Sequence, residues 1–209
     1  IPLRRTSELF GIARMVVFSP EDLNLIKNGP AERRRFLDIE LCQLNRRYVK
    51  ELLRYNRVLL QRNKLLKELP FHPNLLETLD IWDAQLITAG IALMESRSAF
   101  LTQLNEICAK KYAALTGKQE RLQLFYEVNA SKEHFATALQ KSRESDLRQK
   151  TSSVGPHRDD IAFYLMQSGG EKMDLRKFGS QGQQRSAALA VKLAEFSLMQ
   201  RECGENPVF

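Results

Sequence analysis

Apolar residues recur at Leu37, Leu41, Leu44, Tyr48, Leu52, Tyr55 and Leu59, mostly in steps of three and four. That spacing places them on one face of an α-helix. No Gly or Pro interrupts Ala31 to Glu68, so the stretch predicts one helix of about 55 Å at 1.5 Å per residue. Leu69-Pro70-Phe71-His72-Pro73 breaks it, because Pro lacks the amide donor and clashes with the preceding turn. A second stripe, including Leu79, Trp82, Leu86, Ala89, Leu93, Phe100, Leu104 and Ile107, predicts a helix from about 75 to 115. Gly90 and Ser96–Ser98 weaken it locally. Two long amphipathic helices joined by a short turn must bury their stripes on each other, which predicts an antiparallel helical hairpin projecting as an arm.

Shorter periods flank the hairpin. Met15-Val16-Val17-Phe18 reads as a short buried strand, and Ser19-Pro20-Glu21-Asp22 as a helix start with Ser as N-cap and Asp in a capping box. Asn28-Gly29-Pro30 stops that helix. After Thr116-Gly117-Lys118, Arg121 to Val128 alternates as a strand with Leu122, Leu124 and Tyr126 on one face. Ser131 caps a helix to about Lys150, and residues 151–157 form a loop. Ile161 to Met166, a Ser168-Gly169-Gly170 turn and Lys172 to Leu175 read as a hairpin. Phe178 leads into the loop Gly179-Ser180-Gln181-Gly182-Gln183-Gln184-Arg185 and a helix over Ser186 to Arg201. Gly204-Glu205-Asn206-Pro207 begins a turn, and Val208-Phe209 the opening of a strand. The expected fold is therefore α/β but mostly helical: a head segment at 1–30, a helical arm at 31–117 and a second head segment at 118–209.

Charge changes this picture in one place. The chain carries a net charge of +7. Residues 1–67 hold fifteen Lys and Arg against seven Asp and Glu, whereas residues 68–140 hold six against nine. The excess lies in the first third, in Arg33, Arg34, Arg35, Arg46, Arg47, Arg54, Arg57, Arg62, Lys64 and Lys67. Such a stretch is either a phosphate-binding stripe or a solvated helix face, and Tyr48 and Tyr55 fit the apolar stripe better than a base-stacking platform. No apolar run reaches the roughly 18 residues of a membrane span. Cys42, Cys108 and Cys203 have no metal-ligand spacing; they read as buried small hydrophobes, and a reducing cytoplasm is their expected setting.

The loop at 179–185 carries the clearest candidate chemistry. It precedes a helix, where free amides and the positive end of the helix dipole suit a phosphate. A Gly-containing turn capping an amphipathic helix explains the same residues. Glu21 is open in the same way: a hard oxygen ligand for Mg²⁺, or an acid complementing a helix dipole. His157 with Asp159 and Asp160 reads more readily as a structural corner than as acid/base chemistry.

Four segments together resemble the RecF family of ABC-type ATPases, bacterial recombination and replication-repair proteins related to SMC heads. They are Val17-Phe18-Ser19-Pro20-Glu21-Asp22-Leu23, Arg33-Arg34-Arg35-Phe36-Leu37-Asp38, Val154-Gly155-Pro156-His157-Arg158-Asp159-Asp160, and Gly179 to Arg185. The last is similar to the ABC signature Leu-Ser-Gly-Gly-Gln, with Gln181 where the general motif has Gly. The resemblance implies a partial ABC-type ATPase head interrupted by the arm. It also implies ATP and Mg²⁺ as cofactors of the complete protein, and as partners DNA at single- and double-stranded junctions or gaps, a second copy of the chain, and a RecR-type mediator. It implies that Ser180, Gln181, Gly182 and Gln183 contact the γ-phosphate of ATP bound by the second copy. Glu21 stands at the position of the superfamily's Q-loop, and Arg33, Arg34, Arg35, Arg47, Arg54 and Arg57 are the candidate DNA contacts.

The family's loop Gly-x-x-x-x-Gly-Lys-Ser/Thr does not occur in the sequence. The resemblance places it before Ile1, and an acidic strand that positions metal and water after Phe209. The chain is thus expected to be an internal piece of a slow, DNA-stimulated ATPase clamp acting in recombinational repair and replication restart, and not to hydrolyse ATP alone. The competing expectation is a non-enzymatic helical module in which the 31–115 hairpin binds a protein.

Overall fold

The computed structural model describes residues 15–117, 120–167 and 170–203. A 3-10 turn, Pro20–Leu23, leads into α1 (Asn24–Lys27), α2 (Pro30–Leu44), α3 (Arg46–Glu68) and α4 (Thr78–Thr116). Then follow β1 (Arg121–Glu127), α5 (Phe135–Gln149), β2 (Asp160–Met166), β3 (Lys172–Asp174), α6 (Leu175–Phe178) and α7 (Gln181–Cys203). The expected turn at 204–207, the strand start at 208–209, part of the 168–170 turn and the side chain of Cys203 lie outside the described residues.

Among the described residues, the first compact unit comprises 15–46, 97–117, 120–127, 160–167 and 170–203. Its sheet has the order β1-β2-β3, all antiparallel, with Leu122 opposite Leu165 and Leu124 opposite Phe163. These four residues are buried, as period-two alternation requires of one sheet face. Asp174 caps α6 by accepting the amides of Arg176 and Lys177. Two internal arginines fix the helices. Arg33, in the first turn of α2, makes a bidentate pair with Asp160 of β2 at 2.6 and 2.8 Å and donates to the carbonyls of Leu25 and Asn28. Arg97 of α4 reaches Asp38 of α2 at 2.8 Å.

The second unit comprises residues 47–96 and 128–159. Leu65, Leu66, Leu69 and Leu79 form a buried cluster with Leu75, Trp82 and Leu147 around it. Within this unit the buried positions of α4 are 79, 83, 86, 89, 90, 93 and 94, which keep to one side of the helix. That buried side includes Asp83 and Gly90. Asp83 pairs with Arg62 of α3.

Several expectations need correction. The helix expected over 31–68 is two helices, because Asn45 is extended at φ −140° and ψ 105°. An Asn side chain competes for local hydrogen bonds and favours such ends. Met15 makes an isolated bridge and residues 16–19 are not strand, although Val16 is buried. Ser131 does not cap α5; its hydroxyl meets Nδ1 of His134, and the helix begins at Phe135. Arg33 and Arg97 tie α2 and the second half of α4 to the sheet-containing unit, while Arg62 ties α5 to the α3–α4 pair.

Buried charge also marks the packing of α2 against α7. Glu40 and Glu195 are 3% and 1% exposed, and Lys192 Nζ lies 2.6 Å from Glu195 Oε2. Glu40 Oε2 and both Glu195 oxygens are buried, and the two carboxyls lie close enough to act on each other. Burial, then the charge of Glu195, pushes the Glu40 carboxyl well above its ordinary value, against the opposing pull of Lys192. Burial also raises Glu195, with Lys192 offsetting it. One proton and one ammonium between two carboxyls is the arrangement that avoids two buried like charges. Because the folded form holds the Glu40 proton more tightly, stability is lost as pH rises from the ordinary carboxylate value towards the raised one. Wild-type stability should therefore fall relative to Glu40→Gln above about pH 5. Urea unfolding at several pH values checks this, and parallel profiles would contradict a shared proton.

Candidate functional site

The loop before α7 is built as a reciprocal cap. Ser180 Oγ accepts the amide of Gln183 at 3.2 Å, and Gln183 Oε1 accepts the amide of Ser180 at 2.8 Å. This is the capping box that Ser-x-x-Gln specifies. Gln184 Nε2, buried, donates to the Leu175 carbonyl at 3.1 Å and ties the first turn of α7 to α6. Ser180, Gln181 and Gly182 are exposed, and the amides of Gln181 and Gly182 have no partner among the described residues. The loop thus keeps two backbone donors and one hydroxyl proton facing outward at the positive end of a 23-residue helix.

The two glycines have different causes. A Cβ on Gly179 would lie 2.4 Å from the Leu175 carbonyl oxygen and 2.6 Å from Leu175 Cδ1. Gly179 is therefore needed where α6 turns into the loop. A Cβ on Gly182 would meet only Ser180 Oγ, at 3.9 Å. Nothing within the described chain requires a Gly there, and Gly is a poor helix residue.

Glu21 is exposed, and its own amide is accepted by Ser19 Oγ at 3.2 Å. Ser19 and Asp22 complete the capping box expected from the sequence. Glu21 lines a cavity of about 330 Å³ together with Asp22, Arg35, Glu40, Lys192 and Glu195. A second cavity, about 690 Å³, is lined by Phe18, Ser19, Leu189 and Arg185. Arg185 is exposed and forms no ion pair among the described residues. No group of three His, Cys, Asp or Glu side chains among the described residues is arranged to hold a metal ion. Burial pushes the thiols of Cys42 and Cys108 up to about 11 and about 12, so both are inert hydrophobes.

The basic residues sort into inside and outside. Arg33 is 2% exposed and its guanidinium is spent on Asp160 and two carbonyls, which removes it from the candidate nucleic-acid contacts. Arg62, fully buried, leaves the basic stripe too. Arg34 is half-buried, and Arg35 is exposed. On α3, Arg47, Lys50, Arg54, Arg57 and Lys64 are all exposed and recur at steps of three, four and seven. That spacing puts them on one helical face. In the 154–160 segment, His157 Nδ1 lies 2.7 Å from the Tyr55 hydroxyl and Nε2 lies 3.0 Å from the Ser152 carbonyl. Asp159 accepts the Asn129 amide at 2.7 Å. These groups hold a corner and face no cavity described here.

Sequence reasoning missed Glu120 and Tyr112. Glu120 accepts Nε2 of Gln183 at 2.8 Å and the Tyr112 hydroxyl at 3.2 Å. A separation of 63 residues between Glu120 and Gln183 leaves no local signal to find it by.

Comparison with known proteins places similar chains and folds beside this one. No family model matches the chain. The DNA replication and repair protein RecF of Lachnoclostridium phytofermentans is 49% identical over 208 residues, covering 100% of this chain and 56% of that protein. The protein of the same description from Acetivibrio thermocellus is 41% identical over 218 residues, with 58% of its length covered. Among solved structures, that of the recombination mediator protein RecF with ATP in the RecFOR pathway superposes with a TM-score of 0.91 at 34% identity, over 99% of this chain and 56% of that one. A second, with RecF described as bound to ATPrS, gives 0.90 at 33% identity. The chain spans little more than half the length of the relatives it matches.

The glycine geometry gives opposite expectations for one substitution. Gly179→Ala should destabilise the chain by about 1–3 kcal/mol, since backbone must shift. Gly182→Ala should leave stability unchanged or raise it by about 0.5 kcal/mol. Urea unfolding of the two variants checks the pair, and a loss at Gly182 would mean that the chain itself needs that glycine.

Proposed function

We propose that this chain, homologous to RecF proteins in sequence and fold along its whole length, forms part of an ATP-gated DNA-binding clamp of DNA replication and recombinational repair. The observation that carries the reading is the exposed start of α7. Ser180 Oγ–H and the amides of Gln181 and Gly182 converge at a helix N-terminus, and Gly182 leaves space that no residue of the described chain fills. Such a set is complementary to a terminal phosphate, which carries the most charge of a nucleoside triphosphate. In this reading the phosphate is held by a second copy, and hydrolysis removes the group that Ser180 recognises. ATP and ADP then differ in how tightly they hold two copies together. In this reading Glu21, exposed beside the capping box, offers one oxygen to a magnesium ion accompanying the nucleotide.

DNA is the second proposed partner. The α3 face of Arg47, Lys50, Arg54, Arg57 and Lys64 supports it; Arg34 and Arg35 are separate candidate contacts. Contacts from such a face fall on phosphates and carry no base information. A RecR-type mediator and a cytoplasmic setting belong to the same proposal; the absence of any helix long and apolar enough to cross a membrane among the described residues agrees with it.

Two measurements test these readings. The chain is mixed with the full-length Lachnoclostridium phytofermentans relative, and mass is followed by light scattering with ATP or ADP. ATP should drive a heterodimer, and Ser180→Arg should abolish that association while lowering stability by only about 1 kcal/mol through the lost cap. ATP-driven association that survives Ser180→Arg removes the phosphate-sensing role. For DNA, the triple variant Arg47→Glu/Arg54→Glu/Arg57→Glu should weaken duplex binding and flatten its dependence on log salt by about 3. Fluorescence anisotropy across a salt series reads both, and an unchanged slope places the DNA elsewhere.

A further inference from the structure

The first turn of α7 is held by a relay of side chains. Tyr112, on the last turns of α4 and fully buried, donates its hydroxyl to Glu120 Oε2 at 3.2 Å. Glu120 Oε1 accepts Gln183 Nε2 at 2.8 Å. Gln183 Oε1 accepts the Ser180 amide, and Ser180 Oγ accepts the Gln183 amide. All four residues belong to one compact unit.

The chemistry of the partners sets the direction of the relay. A carboxylate only accepts, while a Gln amide has a donating end and an accepting end. Facing Glu120, Gln183 must present its NH₂ there and its oxygen to Ser180. The Ser180 amide is then satisfied internally. Ser180 Oγ receives the Gln183 amide on a lone pair, so its single proton is left to donate elsewhere. A reversed Gln183 amide would set NH₂ against the Ser180 N–H, two donors with no acceptor between them, and the cap would open.

We infer that Glu120 is a positioning residue for phosphate sensing: it orients the Gln183 amide, and through it keeps the Ser180 hydroxyl proton available to a nucleoside triphosphate held by another protein molecule. Tyr112 is the residue that holds Glu120. The inference rests on the proposed role of Ser180 and names the groups that make that role possible. The burial of Tyr112, followed by the nearby Glu120 charge, raises its hydroxyl well above the ordinary range, so it stays a donor across the pH range of any assay.

Glu120→Gln tests this with almost no change of shape. The substituted amide both donates and accepts, so Gln183 gains a second setting in which the cap is broken. In the light-scattering assay with the full-length relative, Glu120→Gln should weaken ATP-driven association by about tenfold, and Tyr112→Phe by about threefold. Association in ADP should not change, and the melting temperature of the chain should stay close to wild type. A merely structural role would lower the melting temperature without altering the preference for ATP over ADP at a temperature well below it. Ser180→Arg runs in parallel. If it abolishes the ATP response while Glu120→Gln, at unchanged melting temperature, behaves as wild type, the positioning role is overturned and the phosphate-sensing reading stands. If Ser180→Arg has no effect, the sensing reading itself fails. Should Glu120→Gln unfold the chain, Tyr112→Phe decides: a threefold loss supports the relay, and no loss overturns it.

Discussion

A guanidinium with no exposed surface must find its partners inside the protein. Arg62 has 0% relative exposure; its Nε and Nη1 find such partners, while Nη2 has no hydrogen-bond partner among the described residues. Its Nε donates to Asp83 at 2.6 Å, and Nη1 donates to Asp146 at 2.8 Å and to Ser152 Oγ at 2.7 Å. Each partner is held in turn. The second oxygen of Asp83 accepts Arg143, which also contacts Asp80, while Asp146 Oδ1 accepts the amide and hydroxyl of Ser153. Asn63 accepts both the amide and the hydroxyl of Ser152. An ion left unpaired at such depth costs several kcal/mol, and removing one partner of a buried pair typically costs about 3–5 kcal/mol. The positions of α3, α4, α5 and the 151–153 loop in this unit are therefore tied to one side chain.

The sheet-containing unit repeats the device with Arg33 and reaches function from there. Arg33 fixes α2 to β2 and closes the end of α1 through the Leu25 and Asn28 carbonyls. The packing of α2 and α1 against α7 then bears on the helix whose first turn carries Ser180. Within that turn the contrast is between donors that are used and donors that are left. Gln184 and the Ser180 amide are committed to the protein. The amides of Gln181 and Gly182 face outward from a well-capped helix. Such internal commitments would make the remaining donors a fixed target rather than a fluctuating one, as the proposed recognition of a phosphate requires.

Much of the fold was legible along the chain. Stripes at steps of three and four placed the long helices, Pro70 and Pro73 ended the first of them, and Ser19 with Asp22 marked a cap that the structure contains. Alternation at Leu122 and Leu124 placed a strand face. The misses have particular causes. Asn45 interrupts a pattern whose apolar spacing continues across it, because the period records which side is buried and not whether the backbone turns without a break. Ser131 precedes α5 at a plausible distance, but its hydroxyl is taken by His134. At the candidate site, Ser180 and Gln183 were visible as a motif, whereas Glu120 and Tyr112 were not. A motif is local, and their contacts with Gln183 are made across the fold.

The sequence alone determined where helices could run, that Pro70 and Pro73 had to end one, and which loop presents a Ser, a Gly and two Gln at a helix start. Those follow from dihedral preferences and from periodicity, which act over a few residues. Only the tertiary structure decided which arginines are inside. Arg33 and Arg57 look alike in a basic first third of the chain, yet one is 2% exposed and the other lies on an open helix face. The difference is a carboxylate: Asp160 lies 127 residues from Arg33, and Asp146 lies 84 residues from Arg62. Burial of a cation is set by whether a partner arrives in three dimensions, and no local pattern encodes that arrival.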